Sequence, residues 1–155
     1  MSKDIREMID KVKNFKEPIN EQREVFNKLY HGTDIESAMD IQKNGVDISK
    51  GYGGYFGWGF YTTPDFDLAK SNYADFSDDE EGGVILEFEL LPTANILDLN
   101  DSDDFELWKK YSKRINDENL YKELTEIGID GLWDNSFDGV VIYNPKVLVF
   151  KNIHK

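Results

Sequence analysis

Two stretches of this chain hold residue types that can do chemistry. Leu29-Tyr30-His31-Gly32-Thr33 sets an imidazole between a phenol and a hydroxyl. Phe56-Gly57-Trp58-Gly59-Phe60-Tyr61-Thr62-Thr63 is followed, a short helix later, by Ala69-Lys70-Ser71-Asn72-Tyr73. Tyr61 and Tyr73 therefore flank a glycine-rich turn and a helix, an arrangement that suits a flat, aromatic-walled pocket. Several other chemistries are excluded. The chain has no cysteine, so it has no disulfide, thiolate zinc site or cysteine nucleophile. His31 and His154 are its two histidines, and His154 falls in the C-terminal tail, which excludes a histidine-rich metal site. Carboxylates, hydroxyls, aromatic rings and His31 remain.

The elements that must position these groups follow from spacing. Ile5, Met8, Ile9, Val12 and Phe15 share one face of an amphipathic helix over residues 3–15, which Pro18 ends. Lys28-Leu29-Tyr30-His31 reads as a strand. Thr33 and Glu36 form a capping box that opens a helix through Asn44, with Gly45 as its stop. Residues 49–59 interleave glycines with Tyr52, Tyr55, Phe56 and Trp58, a pattern too flexible for a regular element and too aromatic for a plain linker. Phe60 to Thr62 forms a brief strand, after which Thr63 as N-cap and Pro64 at the first helical position start a helix to about Phe76. Ser77 to Gly83 is an acidic turn. Val84, Leu86, Phe88 and Leu90 alternate with Ile85, Glu87 and Glu89, a half-buried strand whose glutamates face solvent. A strand at 95–99 and helices at 103–114 and 117–127 follow, the second closed by Gly128. The chain finishes in strands at 131–133, 140–143 and 147–151, with Asn144-Pro145 as a turn. Helices early and strands late predict an α+β fold with a mainly antiparallel sheet flanked by helices. The expected organisation is one globular domain: residues 1–27 form a helical segment packed on a domain of residues 28–155.

Composition narrows the partners. A chain of 155 residues, 39% apolar, suits one modest core. No apolar run is long enough to cross a bilayer and the polar start does not resemble a secretory signal, so a soluble cytoplasmic protein is expected. Export by a leaderless route stays open. The formal charge of −13 disfavours nucleic acid or an anionic membrane and leaves a basic protein surface as the natural partner.

Taken in order, these residues resemble the ADP-ribosyltransferase superfamily, in the branch of the poly-ADP-ribose polymerases and diphtheria toxin. That branch carries an H-G-[ST] run on its first core strand, to which Tyr30-His31-Gly32-Thr33 is similar. It also carries G-x-G-[IF]-Y followed a helix later by N-Y, to which Gly57-Trp58-Gly59-Phe60-Tyr61 and Ala69 to Tyr73 are similar. The resemblance covers residues 29–145. It implies a split antiparallel sheet and NAD as co-substrate. His31 would bond the adenosine ribose, the Gly32 backbone the nicotinamide amide, and Tyr61 and Tyr73 would stack on the nicotinamide ring. Thr33 and Gly59 would complete the NAD site, with Tyr61 counted among the catalytic groups as well. The same residues also have plain structural uses: Thr33 as a cap, the glycines for backbone geometry, the tyrosines as half-buried rings.

Cleavage of the nicotinamide–ribose bond develops positive charge at the anomeric carbon, which a nearby carboxylate stabilises. In the family a glutamate at the start of the strand Asp138-Gly139-Val140-Val141-Ile142-Tyr143-Asn144-Pro145 does this, and here its position falls on Gly139. Three readings follow from that departure. Asp138 replaces it through a bulge at Gly139, which is favoured narrowly; Asp134 or Asp130 reaches over from the preceding arm; or the carboxylate is lost. Without the glutamate, the resemblance implies single ADP-ribose transfer to a protein, in the manner of a bacterial or phage effector. The alternatives are an inactive module of the same fold that reads NAD or ADP-ribose, and an unrelated interaction protein that docks through the loop from Tyr52 to Trp58.

Overall fold

The computed structural model describes residues 27–50, 54–71, 83–136 and 138–154. The expected helix at 3–15, Tyr73 and most of the acidic turn lie outside the described residues. In chain order the elements are β1 (Lys28–Asp34), α1 (Ile35–Asn44), a 3-10 turn (Ile48–Lys50), β2 (Phe60–Thr62), α2 (Phe66–Ala69), β3 (Gly83–Leu90) and β4 (Ile96–Asp98). They continue with α3 (Ser102–Ser112), α4 (Leu120–Glu126), β5 (Gly131–Asp134), β6 (Gly139–Ile142), a 3-10 turn (Pro145–Val147) and β7 (Leu148–His154).

The strands form two sheets, ordered β1-β3-β7 and β2-β6-β5-β4, antiparallel except for the β4–β5 pair. The fold is α+β, with its antiparallel core split in two. A β-bridge joins the sheets: Tyr30 N–H donates to the Thr63 carbonyl at 2.8 Å and Thr63 N–H to the Tyr30 carbonyl at 2.9 Å. Leu29, Leu86 and Phe88 of the first sheet join Phe60, Val140 and Ile142 of the second in one apolar cluster. The other face of the second sheet packs Leu97, Leu132, Val141 and Tyr143 against Leu107, Trp108, Leu120 and Leu124 of α3 and α4. Burying each such leucine contributes about 1.5–3 kcal/mol, so these clusters fix which residues of each strand face inward.

Tertiary pairing moves several expected boundaries. β1 runs on to Asp34, paired with Gly83, so Thr33 lies in the ladder opposite Val84 and cannot cap. Asp34 caps α1 instead, accepting from Ser37 N–H at 2.7 Å, and that bond holds its carboxyl below the usual range. Gly45 ends the helix as expected, at φ 83°. Thr63 is held by the bridge to Tyr30, so Asp65 caps α2, accepting from Asp67 and Leu68 N–H. In β3 the expected solvent face is covered: Ile85 is buried with Ala69 beneath Tyr30 and Phe66. Nor is Glu87 simply solvated, because its carboxylate meets His154 Nε2 at 2.9 Å.

Candidate functional site

His31 sits on β1 on the same face as Leu29 and Thr33, by strand alternation. Its ring lies 4.2 Å from that of Phe60, tilted by 32°. Its Nδ1 is 2.7 Å from the Tyr61 carbonyl oxygen. A carbonyl can only accept, so Nδ1 carries the proton and Nε2 presents a lone pair. Burial pushes the imidazole pKa down, partly offset by the bond to Tyr61. The neutral ring is thus fixed in one tautomer, with a nitrogen able to accept from a hydroxyl.

Gly32 follows on the same strand. Backbone groups in a strand alternate sides, and those of Tyr30 point away from β3 to Thr63. The N–H and C=O of Gly32 therefore point the same way, past the bridge, where β2 has turned off toward α2. One extended residue thus aims a donor and an acceptor, side by side, into the split between the sheets. Thr33 is partly exposed on the His31 face of the strand.

Tyr61 has a different setting. On β2 it points away from Phe60 and packs against the α3–α4 side of the second sheet. Its hydroxyl accepts from Phe56 N–H at 2.8 Å and donates to the Gly57 carbonyl at 2.7 Å. Gly54 and Gly57 close a small turn with reciprocal bonds of 3.2 and 3.0 Å, and Tyr143 donates its hydroxyl to the Phe56 carbonyl at 2.8 Å. Two phenols therefore clamp the aromatic loop. Burial raises the Tyr61 pKa, and the bond from Phe56 draws it partly back. Gly57 supplies φ 84° for the turn. Gly59 has a packing reason: a Cβ there would stand 2.5 Å from Val141 Cγ1. His31 and Tyr61 are brought together through the Tyr61 carbonyl, with their rings on opposite faces of β2.

The candidate carboxylates separate clearly. The β5–β6 register runs without a shift from Gly131↔Ile142 to Asp134↔Gly139, so no bulge lies at Gly139 within that pairing. The irregularity falls instead between Glu87 and Phe88, in the β3–β7 pairing. Asp138 sits in the hairpin turn at φ 52°, a conformation that aspartate tolerates. Its carboxyl pKa is raised, first by burial and then by the charge of Asp65. Asp134 ends β5 directly opposite Gly139, with Oδ1 accepting from Ser136 N–H at 2.9 Å. Asp130 lies at the far end of β5 and is consumed by structure, accepting from Asn95 N–H at 2.8 Å and Asn144 Nδ2 at 3.0 Å. Among the described residues no group of three or more histidines or carboxylates could hold a metal ion.

Sequence reasoning missed Phe60 as the ring beneath His31, Tyr143 as the second clamp and Asp65 as the neighbour of Asp138. The alternation of Phe60 and Tyr61 carried part of that signal; the contacts across the two sheets carried no local one. No protein-family model matches the chain, and no curated protein matches it. No helix among the described residues is long and apolar enough to cross a membrane.

Proposed function

We propose that the protein is an NAD-dependent ADP-ribosyltransferase that passes single ADP-ribose units to a protein acceptor. The supporting observation is the edge of β1 beyond the Tyr30–Thr63 bridge, where Gly32 offers N–H and C=O together beside a neutral, tautomer-fixed His31. A primary carboxamide presents the complementary C=O and N–H, and nicotinamide carries one. A backbone pair reads it without ordering a side chain, and the His31 Nε2 lone pair suits a ribose hydroxyl. The net charge of −13 favours a basic face on the acceptor protein. The geometry at Tyr61 adds a restriction: its hydroxyl is committed to the loop, so any part it plays in the site is through its ring.

The test pairs two readouts, the rise in melting temperature with NAD and nicotinamide release from NAD. Both are expected for the wild type. Gly32→Pro removes an N–H that β1 does not use toward β3, so it should abolish both signals while the circular dichroism spectrum is kept. A wild type that shows neither signal would refute the reading. A thermal shift without release would make the chain a reader of NAD.

A further inference from the structure

We propose that His154 is a positioning residue for the recognition edge of β1: bonded to Glu87, it backs Tyr30 and Phe66 and so sets how tightly Gly32 holds a carboxamide. This rests on the NAD reading above. By its place in the chain His154 belongs to a tail, but the structure puts it in β7, and a bulge decides where it points. Leu148, Phe150 and Ile153 pack on the core. Strict alternation from Leu148 would send Phe150, Asn152 and His154 all to that side. The β3–β7 register shifts between Glu87↔Asn152 and Phe88↔Phe150 and leaves Lys151 as the extra residue, so Ile153 takes the core side and His154 the outer one.

On that outer face His154 meets groups from three other elements. Its Nε2–H donates to Glu87 Oε1 on β3 at 2.9 Å, since a carboxylate only accepts. Its ring stands edge-on to Phe66 of α2 at 5.2 Å and to Tyr30 of β1 at 6.5 Å, and Tyr30 and Phe66 meet at 5.4 Å. Glu87 is paired with Tyr30 across the strands, and its charge adds to burial in raising the phenol pKa. The Glu87 side chain is 17% exposed, so water competes for this bond less than for the neighbouring Lys151–Glu89 pair, exposed 48% and 46%.

The cluster lies behind the Gly32 edge. Gly32, Ile85 and His154 form one row across β1, β3 and β7. Ile85 is buried in that row with Ala69, beneath Tyr30 and Phe66. Gly32 brings no side chain to anchor its own strand, so its neighbours fix where its N–H and C=O point. Tyr30 does this twice: its backbone bridges to Thr63, and its ring packs on Phe66, three residues further along the same turn. His154 supports both rings.

The test is a double-variant cycle on NAD affinity, read by calorimetric titration at a temperature where circular dichroism shows every variant folded. The His154 side chain is 34% exposed, so His154→Ala leaves no closed cavity and should fold. His154→Ala and Glu87→Ala are each expected to raise the NAD Kd about tenfold, within the range for substitutions that reach a site through packed neighbours. The double variant should lose no more than either single, because the two residues act as one unit. His154→Gln keeps an N–H for Glu87 and should stay within about twofold of the wild type. Lys151→Ala, which breaks only the exposed pair on the same strand, should leave the Kd unchanged and so separates positioning from a general loosening of β7. Wild-type affinity in His154→Ala would overturn the proposal and leave the NAD reading standing. So would additive losses in the double variant, or an equal loss in Lys151→Ala. A wild type that does not bind NAD would remove both.

Discussion

Replacing Tyr61 by phenylalanine should cost the fold far more than the loss of one oxygen suggests. The hydroxyl satisfies two backbone groups of the aromatic loop, at 2.8 and 2.7 Å. The Gly57 carbonyl keeps its bond from Gly54 N–H, so the phenol bond to it contributes about 1 kcal/mol net, while loss of the phenol as acceptor for the buried Phe56 N–H costs about 1–3 kcal/mol. Phe56 is 5% exposed and Gly57 is buried, so water does not readily replace the phenol. The loss should be about 2–4 kcal/mol, or roughly 6–12 °C in melting temperature for a chain of this size. Urea unfolding followed by tryptophan fluorescence measures it, since Trp108 packs on both Phe56 and Tyr143. A change below about 0.5 kcal/mol would refute the clamp, because that is the range of surface substitutions with no structural role.

Two further outcomes follow from the same geometry. Gly59→Ala places a methyl 2.5 Å from Cγ1 of the fully buried Val141, so overpacking should destabilise by about 1–3 kcal/mol in urea unfolding; an unchanged midpoint would show that β2 can shift on β6. His31 has its pKa lowered by burial, so between the native value and the unfolded value of about 6.5 the unfolded chain binds a proton that the native state does not. The His31 contribution is therefore present above about pH 6.5 and is lost as the pH falls below it. Unfolding free energy should drop more between pH 7.5 and 5.5 for the wild type than for His31→Asn, and equal slopes would contradict an imidazole kept neutral by its surroundings.

Local rules made the elements legible. The alternation in β3, the glycine stop at Gly45 and the turn at Asn144-Pro145 needed only nearest neighbours in the chain, and among the described residues the strands and helix starts came out with boundary errors of a few residues. Those errors share a cause. Thr33 and Thr63 are both plausible caps by type, but each is held in a strand contact with a distant segment, Val84 in one case and Tyr30 in the other. The caps therefore slipped to the next polar residue able to serve, Asp34 and Asp65. Ile85 was misplaced for a related reason: alternation defines two faces, and only the packing of α2 shows that both are covered. The carboxylate question was open in the sequence because it depends on the β5–β6 register, and a glycine is compatible with a bulge or a regular pair alike.

The position of Tyr61 decides which substitutions can report on the site. Its carbonyl fixes the tautomer of His31, its hydroxyl holds the loop, and its ring packs toward α3 and α4. Removing the whole side chain would release the loop and disturb the strand that carries the His31 contact, so lost activity in Tyr61→Ala would not separate ring stacking from collapse of the support. Gly32→Pro acts more cleanly. It removes a donor that the β1–β3 ladder does not use. If NAD binding follows Gly32 while Tyr61→Phe lowers stability alone, recognition lies on the edge of the first sheet just past the Tyr30–Thr63 bridge, and the loop that Tyr61 clamps is its support.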